Sequence, residues 1–309
     1  MLWIMKLSGF LSAAMVMIVL SPSIQSFPPA EAIRSSHFDS YLRPETGSGD
    51  RRFSFLQAPM FRNADSCDKI SEGFSNSTAC DPSLVHIAIT LDVEYLRGSI
   101  AACHSVLQHS LCPENVFFHF LVSDTDLETL VRAAFPKLRF KVYFFDADRV
   151  RGLISSSVRQ ALEQPLNYAR NYLADILEPC VRRVIYLDSD LVVVDDVSKL
   201  WRTSLGSRTV GAPEYCHANF SKYFTEKFGP THPRSPVVTG RKPCYFNTGV
   251  MVMDLDRWRR LGTVARSERW MEVRSAGRGE RRIYEAGVFA DPFLLVFGSD
   301  TWRPSTQVK

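Results

Sequence analysis

Short apolar runs alternate with longer amphipathic stretches through the middle of this 309-residue chain. The apolar runs are Leu84–Thr90, Val116–Val122, Phe140–Phe144 and Arg183–Leu187. Nearly continuous apolar runs of this length are typical of strands that are buried on both faces of a sheet. The sequence therefore predicts four buried strands.

The stretches between these runs have helical spacing. Leu96–Ser110 places its apolar residues on one helix face, Leu127–Phe135 ends at Pro136, and Asn167–Leu177 ends before Pro179. Alternating strands and helices predict an α/β fold with a mostly parallel sheet and right-handed crossovers. Ligands of such folds bind at the carboxyl ends of the strands.

Carboxylates follow two of the predicted strands. Asp92 follows the first, and Asp188 and Asp190 follow the fourth. In extended backbone, two side chains separated by one residue point the same way, so these two aspartates would repel each other without a cation. Oxygen ligands suit Mg²⁺ or Mn²⁺. An isolated pair of this kind is more often a solvated turn, but here Val184–Leu187 and Leu191–Val194 enclose it with apolar residues.

A third stretch, Cys244–Asp254, is predicted to contain a strand that is preceded by a polar amide and a glycine. The Asn247 amide could hydrogen-bond to sugar hydroxyls, and Gly249 would permit close approach of the backbone. A plain buried strand with a bulge explains these residues almost equally well.

The N-terminus has the pattern of a secretory signal. Lys6 precedes the apolar run Leu7–Leu20, and polar and small residues follow. Residues 1–32 are predicted to be a cleaved signal peptide or a short uncleaved anchor. Residues 33–82 are predicted to form a polar stem, and residues 83–309 the globular domain.

Charge, cysteines and sequons refine this assignment. A net charge of +4 is mild and gives no indication of a nucleic-acid partner. The seven cysteines include no Cys-x-x-Cys pair, and in an oxidising lumen a bridge between Cys67 and Cys80 is predicted. Asn76 and Asn219 begin N-glycosylation sequons, which are consistent with luminal exposure.

Nine arginines crowd the stretch from Arg257 to Arg282. They could form a docking face for an anionic polysaccharide. The favoured alternative is the solvated face of an amphipathic helix, with Trp258, Leu261 and Trp270 on its buried side.

Several of these segments together resemble family eight of the retaining glycosyltransferases, and within it the plant galacturonosyltransferase-like group. The resemblance covers roughly residues 52 to 297. The segments that carry it are Thr90–Tyr95, Leu166–Arg170, Tyr186–Asp190, Tyr245–Met251 and, for the plant group, Arg62–Asn63, Ala212–Phe220 and Arg282–Glu285.

The resemblance implies a GT-A (Rossmann-like) fold that uses a UDP-sugar and Mn²⁺ (or Mg²⁺) in the Golgi lumen. The implied donor is UDP-galacturonic acid and the implied acceptor a pectic or xylan-type wall polysaccharide, with other transferases as further partners. The implied roles are uracil and ribose binding for Asp92 and Tyr95, diphosphate and donor-sugar binding for Arg170, metal binding for Asp188 and Asp190, and donor-sugar binding for Asn247.

Members of the family also carry a late His-x-x-Gly-x-x-Lys-Pro-Trp motif, which supplies a third metal ligand and a diphosphate-binding lysine. The residues after Phe293–Phe297 do not match it, and His217 and His232 do not replace it. The chain thus resembles a C-terminally shortened member. Two expectations follow, namely a transferase with a weakened metal site or an inactive binding partner of active transferases.

Overall fold

The computed structural model describes residues 67, 79–154, 164–219, 244–275, 292–297 and 302–304. The chain divides into two units, residues 1–54 and 55–309, and all described residues belong to the second. The predicted signal segment, most of the predicted stem and Asn76 lie outside the described residues. Within the described ranges, no helix is both long enough and apolar enough to cross a membrane.

The described strands form a seven-stranded mixed sheet and a separate two-stranded sheet. The order in the large sheet is β3-β2-β1-β4-β8-β5-β9, with β1 to β4 mutually parallel and β8 antiparallel to both of its neighbours. The strands are β1 Val85–Leu91, β2 Val116–Val122, β3 Arg139–Phe144, β4 Arg183–Leu187, β5 Val210–Ala212, β6 Glu214–Asn219, β7 Cys244–Phe246, β8 Val250–Asp254 and β9 Trp302–Pro304. The four strands predicted from the apolar runs are confirmed to within one residue.

Helices pack on the large sheet. They are α1 Leu96–His109, α2 Leu127–Ala134, α3 Asp148–Arg151, α4 Leu173–Ile176, α5 Val197–Trp201, α6 Leu255–Arg260, α7 Thr263–Ser275 and α8 Pro292–Phe297, with 3₁₀ helices at Pro113–Asn115 and Pro165–Tyr172. The first two predicted helices are confirmed as α1 and α2.

The predicted helix Asn167–Leu177 is wrong in type. The segment is instead a 3₁₀ helix, Pro165–Tyr172, that continues into the single turn α4. Residues 168–172 are all buried. A segment that buries successive residues has no exposed face, so it does not need the 3.6-residue period that the sequence suggested.

One face of the sheet carries the main core. Alternate residues of the parallel strands, such as Ala88, Phe117 and Tyr186, pack with the fully buried Trp258 of α6 and Phe293 of α8. The Trp258 and Phe293 rings meet edge to face, with centroids 5.4 Å apart. Helices α6 and α8, which follow β8, therefore cover the face of the sheet on which the Tyr186 side chain lies.

The arginine-rich stretch serves mainly structural contacts where the structure describes it. Arg259 donates to the carbonyl oxygens of Ala174 at 2.7 Å and Val181 at 3.2 Å, and so links α6 to α4 and to the segment that follows α4. Trp270 packs against the core as predicted, but Leu261 is 45% exposed, so its predicted burial is wrong. Leu261 lies in the turn between α6 and α7, beside Gly262 at φ +56°, and not on a continuous helix.

The predicted Cys67–Cys80 bridge is wrong. The disulfides are Cys67–Cys112 and Cys80–Cys180. Cys80 and Cys180 lie just before β1 and β4, which are parallel neighbours, so their amino ends bring the two thiols together. Proximity along the chain was a poor guide because strand order decides which cysteines meet.

A chain of hydrogen-bonding side chains runs across the strands β1, β2 and β3. His86 Nδ1 lies 3.0 Å from His119 Nε2, and His119 Nδ1 lies 3.0 Å from the Tyr143 hydroxyl. The Tyr143 hydroxyl donates to Glu178 at 2.6 Å, and Lys141 pairs with the same carboxylate. This series of hydrogen-bonded side chains therefore links the sheet to the segment that follows α4.

The two imidazoles are held neutral by burial. Burial lowers the pKa of His86 to about 4 and the pKa of His119 to about 3, against an ordinary value of 6.5. The pKa of Glu178 is also lowered, because hydrogen bonds from Lys141 and Tyr143 outweigh the opposing effect of burial. Protonation of either imidazole would place a positive charge in the core, which burial disfavours.

These lowered pKa values predict that the protein loses stability in mild acid. The unfolded chain takes up protons on both imidazoles below about pH 6.5 while the folded chain resists, so stability is complete above that pH and falls toward pH 4. Thermal unfolding should show a Tm that falls between about pH 7 and pH 5. The slope of Tm against pH should be distinctly smaller in His119→Gln than in the wild type, since Gln does not titrate. Equal slopes in the two proteins would contradict this explanation.

Candidate donor and metal site

Four segments meet at the carboxyl edge of the parallel strands. They are the β1–α1 connection, the 3₁₀ helix Pro165–Tyr172, the turn after β4, and the β7–β8 connection. The last of these reaches the edge because β8 is antiparallel to β4, with Val250 opposite Leu187. Residues that precede β8 therefore lie beside residues that follow β4.

Asp188 lies at the centre of this meeting point. Its backbone N–H donates to the Gly249 carbonyl oxygen at 2.7 Å, which continues the pairing of β4 with β8. Its Oδ1 accepts a hydrogen bond from the Tyr186 hydroxyl at 3.0 Å and an ion-pair contact from Arg170 Nη2 at 3.1 Å. The predicted donor residue Arg170 and the predicted metal ligand Asp188 are thus in direct contact.

Arg170 is fixed from several directions although it carries a buried charge. Nε donates to the Asn167 carbonyl oxygen at 3.0 Å and Nη1 donates to the Thr248 carbonyl oxygen at 3.0 Å. The guanidinium lies over the Tyr186 ring, 4.7 Å from its centroid. The residue is only 8% exposed. Its cation is therefore held in one place before any ligand arrives.

Tyr186 supports both partners of this ion pair. It is fully buried, and burial raises the pKa of its phenol, so the hydroxyl stays protonated and can donate to Asp188. Its ring faces Arg170. One side chain therefore contacts the carboxylate through its hydroxyl and the guanidinium through its π-face.

Gly249 makes room for the Asp188 carboxylate. A Cβ atom at position 249 would lie 2.4 Å from Asp188 Oδ2, far inside van der Waals contact. The Gly249 N–H donates to Asn247 Oδ1 at 2.6 Å, and the Asn247 N–H donates to the Pro213 carbonyl oxygen at 2.9 Å. The predicted strand preceded by Asn247 and Gly249 is confirmed as β8, and this polar connection separates it from β7.

Asp190 is placed differently from the prediction. Ser189 and Asp190 form a turn and not extended backbone, and Asp190 is exposed. The apolar run that follows is not buried either, since Val192 is 68% exposed and Val194 76% exposed. Their backbone explains this, because the intervening Val193 N–H donates to Ser105 Oγ of α1 at 2.9 Å and the run crosses the surface there.

Asp92 and Tyr95 begin helix α1 at the same edge. Asp92 Oδ1 accepts a hydrogen bond from the Tyr95 N–H at 2.7 Å, which shapes the turn into the helix. A Cβ at Gly98 would lie 3.1 Å from the Ser189 carbonyl oxygen, so the first turn of α1 abuts the turn that carries Asp188 and Asp190. All the sequence-predicted donor and metal residues therefore lie on segments of one edge.

The side chains that are present suit a hard divalent cation. Asp188 and Asp190 offer only oxygen ligands. Among the described residues, no group of three or more His, Cys, Asp and Glu side chains could hold a metal ion. Two carboxylates match the use of Mg²⁺ or Mn²⁺ with phosphate oxygens and waters as the other ligands.

Tyr186 and Thr248 were missed as site residues by sequence reasoning, although both lie in the motifs it singled out. For Tyr186 a signal existed, because a residue two positions before Asp188 on a strand points to the same face. For Thr248 no signal existed, since its backbone carbonyl makes the contact with Arg170. Asn219, a predicted glycosylation site, is the last residue of β6.

Known proteins resemble this chain over most of its length. Glycosyl transferase family 8 matches residues 86–301, which is most of the chain. Probable galacturonosyltransferase-like 7 of Arabidopsis thaliana is 66% identical over 301 residues, or 97% of this chain and 81% of that protein. Probable galacturonosyltransferase-like 5 of the same plant is 60% identical over 299 residues, or 96% of this chain and 80% of that protein.

Solved structures share the fold. The galactosyltransferase LgtC, in complex with donor and acceptor sugar analogs, has a TM-score of 0.54 at 20% identity over 72% of this chain and 73% of its own. Mouse xyloside xylosyltransferase 1 in its apo form has a TM-score of 0.51 at 14% identity over 72% of this chain and 85% of its own. The predicted GT-A fold is confirmed.

The position of Gly249 yields a prediction about the carboxylate beside it. Gly249→Ala should displace Asp188 and weaken metal-dependent binding of UDP by about tenfold or more, since loss of a group that positions a metal ligand typically lowers metal affinity to this degree. Calorimetric titration with UDP and Mn²⁺ would measure the effect. Gly152→Ala is a matched control, because a Cβ there meets nothing within 4 Å. Equal affinities in the two variants would show that Asp188 does not need this space.

Proposed function

The chain belongs to glycosyltransferase family 8 and is a retaining hexosyltransferase, and we propose that it transfers galacturonic acid from UDP-galacturonic acid to a pectic or xylan-type wall polysaccharide. The plant relatives that it matches are named as probable galacturonosyltransferase-like proteins. It spans about four-fifths of the length of these relatives.

The observation that carries the proposal is the buried Arg170 held against Asp188 at the carboxyl edge of the sheet. A fixed guanidinium beside carboxylates, at the edge where α/β folds bind ligands, suits the diphosphate of a nucleotide-sugar. The guanidinium can contact phosphate oxygens, and Asp188 and Asp190 are the residues that would hold a divalent cation, which would neutralise the diphosphate charge.

The other proposed site residues lie along the same edge of the sheet. Asp92 and Tyr95, at the start of α1, are proposed to hold the uracil and ribose. The exposed Asn247, whose Oδ1 is occupied by the Gly249 N–H, keeps its amide N–H₂ as a donor for sugar hydroxyls. This division places the nucleotide toward β1 and the sugar toward the β7–β8 connection.

The proposed transfer exchanges one bond at the anomeric carbon for another. The bond from the sugar C1 to the diphosphate oxygen breaks, and its electron pair leaves with UDP. A bond from C1 to an acceptor hydroxyl oxygen forms on the same face, and the hydroxyl proton is released. A bound divalent cation supplies neutralisation of the leaving diphosphate. Arg170 contributes a positive charge that is already oriented, and such preorganised charge lowers the barrier.

The proposed location is the Golgi lumen, with the predicted N-terminal signal or anchor directing the chain there. The disulfides Cys67–Cys112 and Cys80–Cys180 support an oxidising compartment, because reducing compartments seldom keep such bonds. We propose glycosylation at Asn76 and Asn219 in the same compartment.

Removal of the exposed carboxylate Asp190 tests the metal assignment. Calorimetric titration with UDP in the presence and absence of Mn²⁺ should show metal-dependent binding in the wild type and its loss, on the order of a hundredfold, in Asp190→Ala. Asp148→Ala is the control, since Asp148 is 72% exposed and pairs only with a neighbouring surface arginine in the contacts seen. Undiminished metal dependence in Asp190→Ala would remove Asp190 from the ligand set.

The donor is tested by turnover. With pectic and xylan oligosaccharide acceptors, radiolabelled UDP-galacturonic acid should give labelled product at a rate about tenfold or more above UDP-glucuronic acid or UDP-galactose. A preference for another donor would contradict the galacturonic acid assignment. Metal-dependent binding of UDP without transfer from any donor would instead favour an inactive partner of active transferases.

A further inference from the structure

We propose that Arg170 keeps a divalent cation from binding tightly at Asp188 until a nucleotide diphosphate arrives, so that metal and nucleotide bind with positive coupling. The proposal rests on the proposed function, because it assumes that this site takes a metal and a diphosphate. It adds a property of the ligand-free protein, in which Arg170 is an internal counter-ion of the metal ligand.

The first step is the state of the Asp188 carboxylate. Arg170 Nη2 lies 3.1 Å from Asp188 Oδ1, and the Tyr186 hydroxyl donates to the same oxygen at 3.0 Å. The negative charge that would attract a cation is therefore already paired, and one of its two oxygens already has two donors. A metal that bound there would have to share or displace these contacts.

The second step is that Arg170 is not free to move away. Two backbone carbonyls, those of Asn167 and Thr248, accept hydrogen bonds from it, and the Tyr186 ring lies against its guanidinium. Its side chain is only 10% exposed, against 34% for the side chain of Asp188. The positive charge therefore stays close to any cation at Asp188, and the two repel each other strongly in a partly buried place.

The third step is the effect of a diphosphate. Its oxygens can accept hydrogen bonds from Arg170 and coordinate the cation at the same time, so its negative charge offsets both positive charges. Arg170 and the metal still repel each other, but both are attracted to the same anionic ligand, and this attraction outweighs the repulsion. Since coupling of two ligands is reciprocal, the metal also raises the affinity for the nucleotide, and release of UDP weakens retention of the metal.

The test measures binding of Mn²⁺ alone, from the electron paramagnetic resonance signal of the free ion. Arg170→Gln should bind Mn²⁺ without nucleotide about tenfold or more tighter than the wild type, because the repelling charge is gone. Arg170→Lys keeps the charge and should stay close to the wild type. Arg151→Gln, which removes an arginine that is 72% exposed and pairs with Asp148, is the matched control and should not change the affinity.

The same titrations with saturating UDP complete the test. UDP should increase the Mn²⁺ affinity of the wild type by a larger factor than that of Arg170→Gln. If the wild type binds Mn²⁺ with UDP but Arg170→Gln gains no affinity for Mn²⁺ alone, the coupling proposal is wrong and the proposed function stands. If no protein binds Mn²⁺ even with UDP, the proposed function fails and the coupling proposal fails with it.

A second variant covers the case in which Arg170→Gln does not fold. Arg170→Met removes the charge but keeps an apolar side chain of similar length beside the Tyr186 ring, so it too should bind Mn²⁺ without nucleotide about tenfold or more tighter than the wild type. An Arg170→Met affinity equal to that of the wild type and of Arg170→Lys would overturn the proposal.

Discussion

The contact between Arg170 and Asp188 is the interaction on which the rest of the site depends. It joins the 3₁₀ helix before β4 to the turn after β4, and it places a fixed positive charge beside a carboxylate at the ligand-binding edge of the sheet. A buried guanidinium requires that each of its remaining donor groups find a partner. The carbonyl oxygens of Asn167 and Thr248 and the ring of Tyr186 meet that requirement, and in doing so they fix the geometry of three separate segments.

The topology of the sheet explains why these segments meet. Strand β8 runs antiparallel to β4, so the residues before β8 lie beside those after β4, and the Asp188 N–H bonds to the Gly249 carbonyl oxygen. A parallel neighbour would have brought the residues after the strand to this edge instead. The stretch that follows the 3₁₀ helix of Arg170, from Ala174 to Val181, is held by Arg259, by the Cys80–Cys180 bridge and by the Tyr143–Glu178 hydrogen bond. Contacts remote from the site thereby support its geometry.

The parallel strands and the edge that carries the site could be predicted from the sequence. Buried parallel strands have continuous apolar sequences, and ligands bind where such strands end. What could not be predicted depended on neighbours distant in sequence. The disulfide partners of Cys67 and Cys80 follow from strand order. The exposure of Val192 and Val194 goes with a hydrogen bond from the intervening Val193 N–H to Ser105 Oγ on α1, which holds the run at the surface. The apolar character of that run gave no sign of it.

The central claim is that the edge beside Arg170 and Asp188 holds a metal-bound nucleotide diphosphate. A crystal structure of the protein grown with UDP and Mn²⁺, with an anomalous difference map at the manganese edge, tests it most directly. The account predicts a manganese peak within coordination distance of Asp188 and Asp190, and a phosphate group in contact with the Arg170 guanidinium. A nucleotide bound elsewhere on the protein, with no manganese at these two carboxylates, would contradict the account.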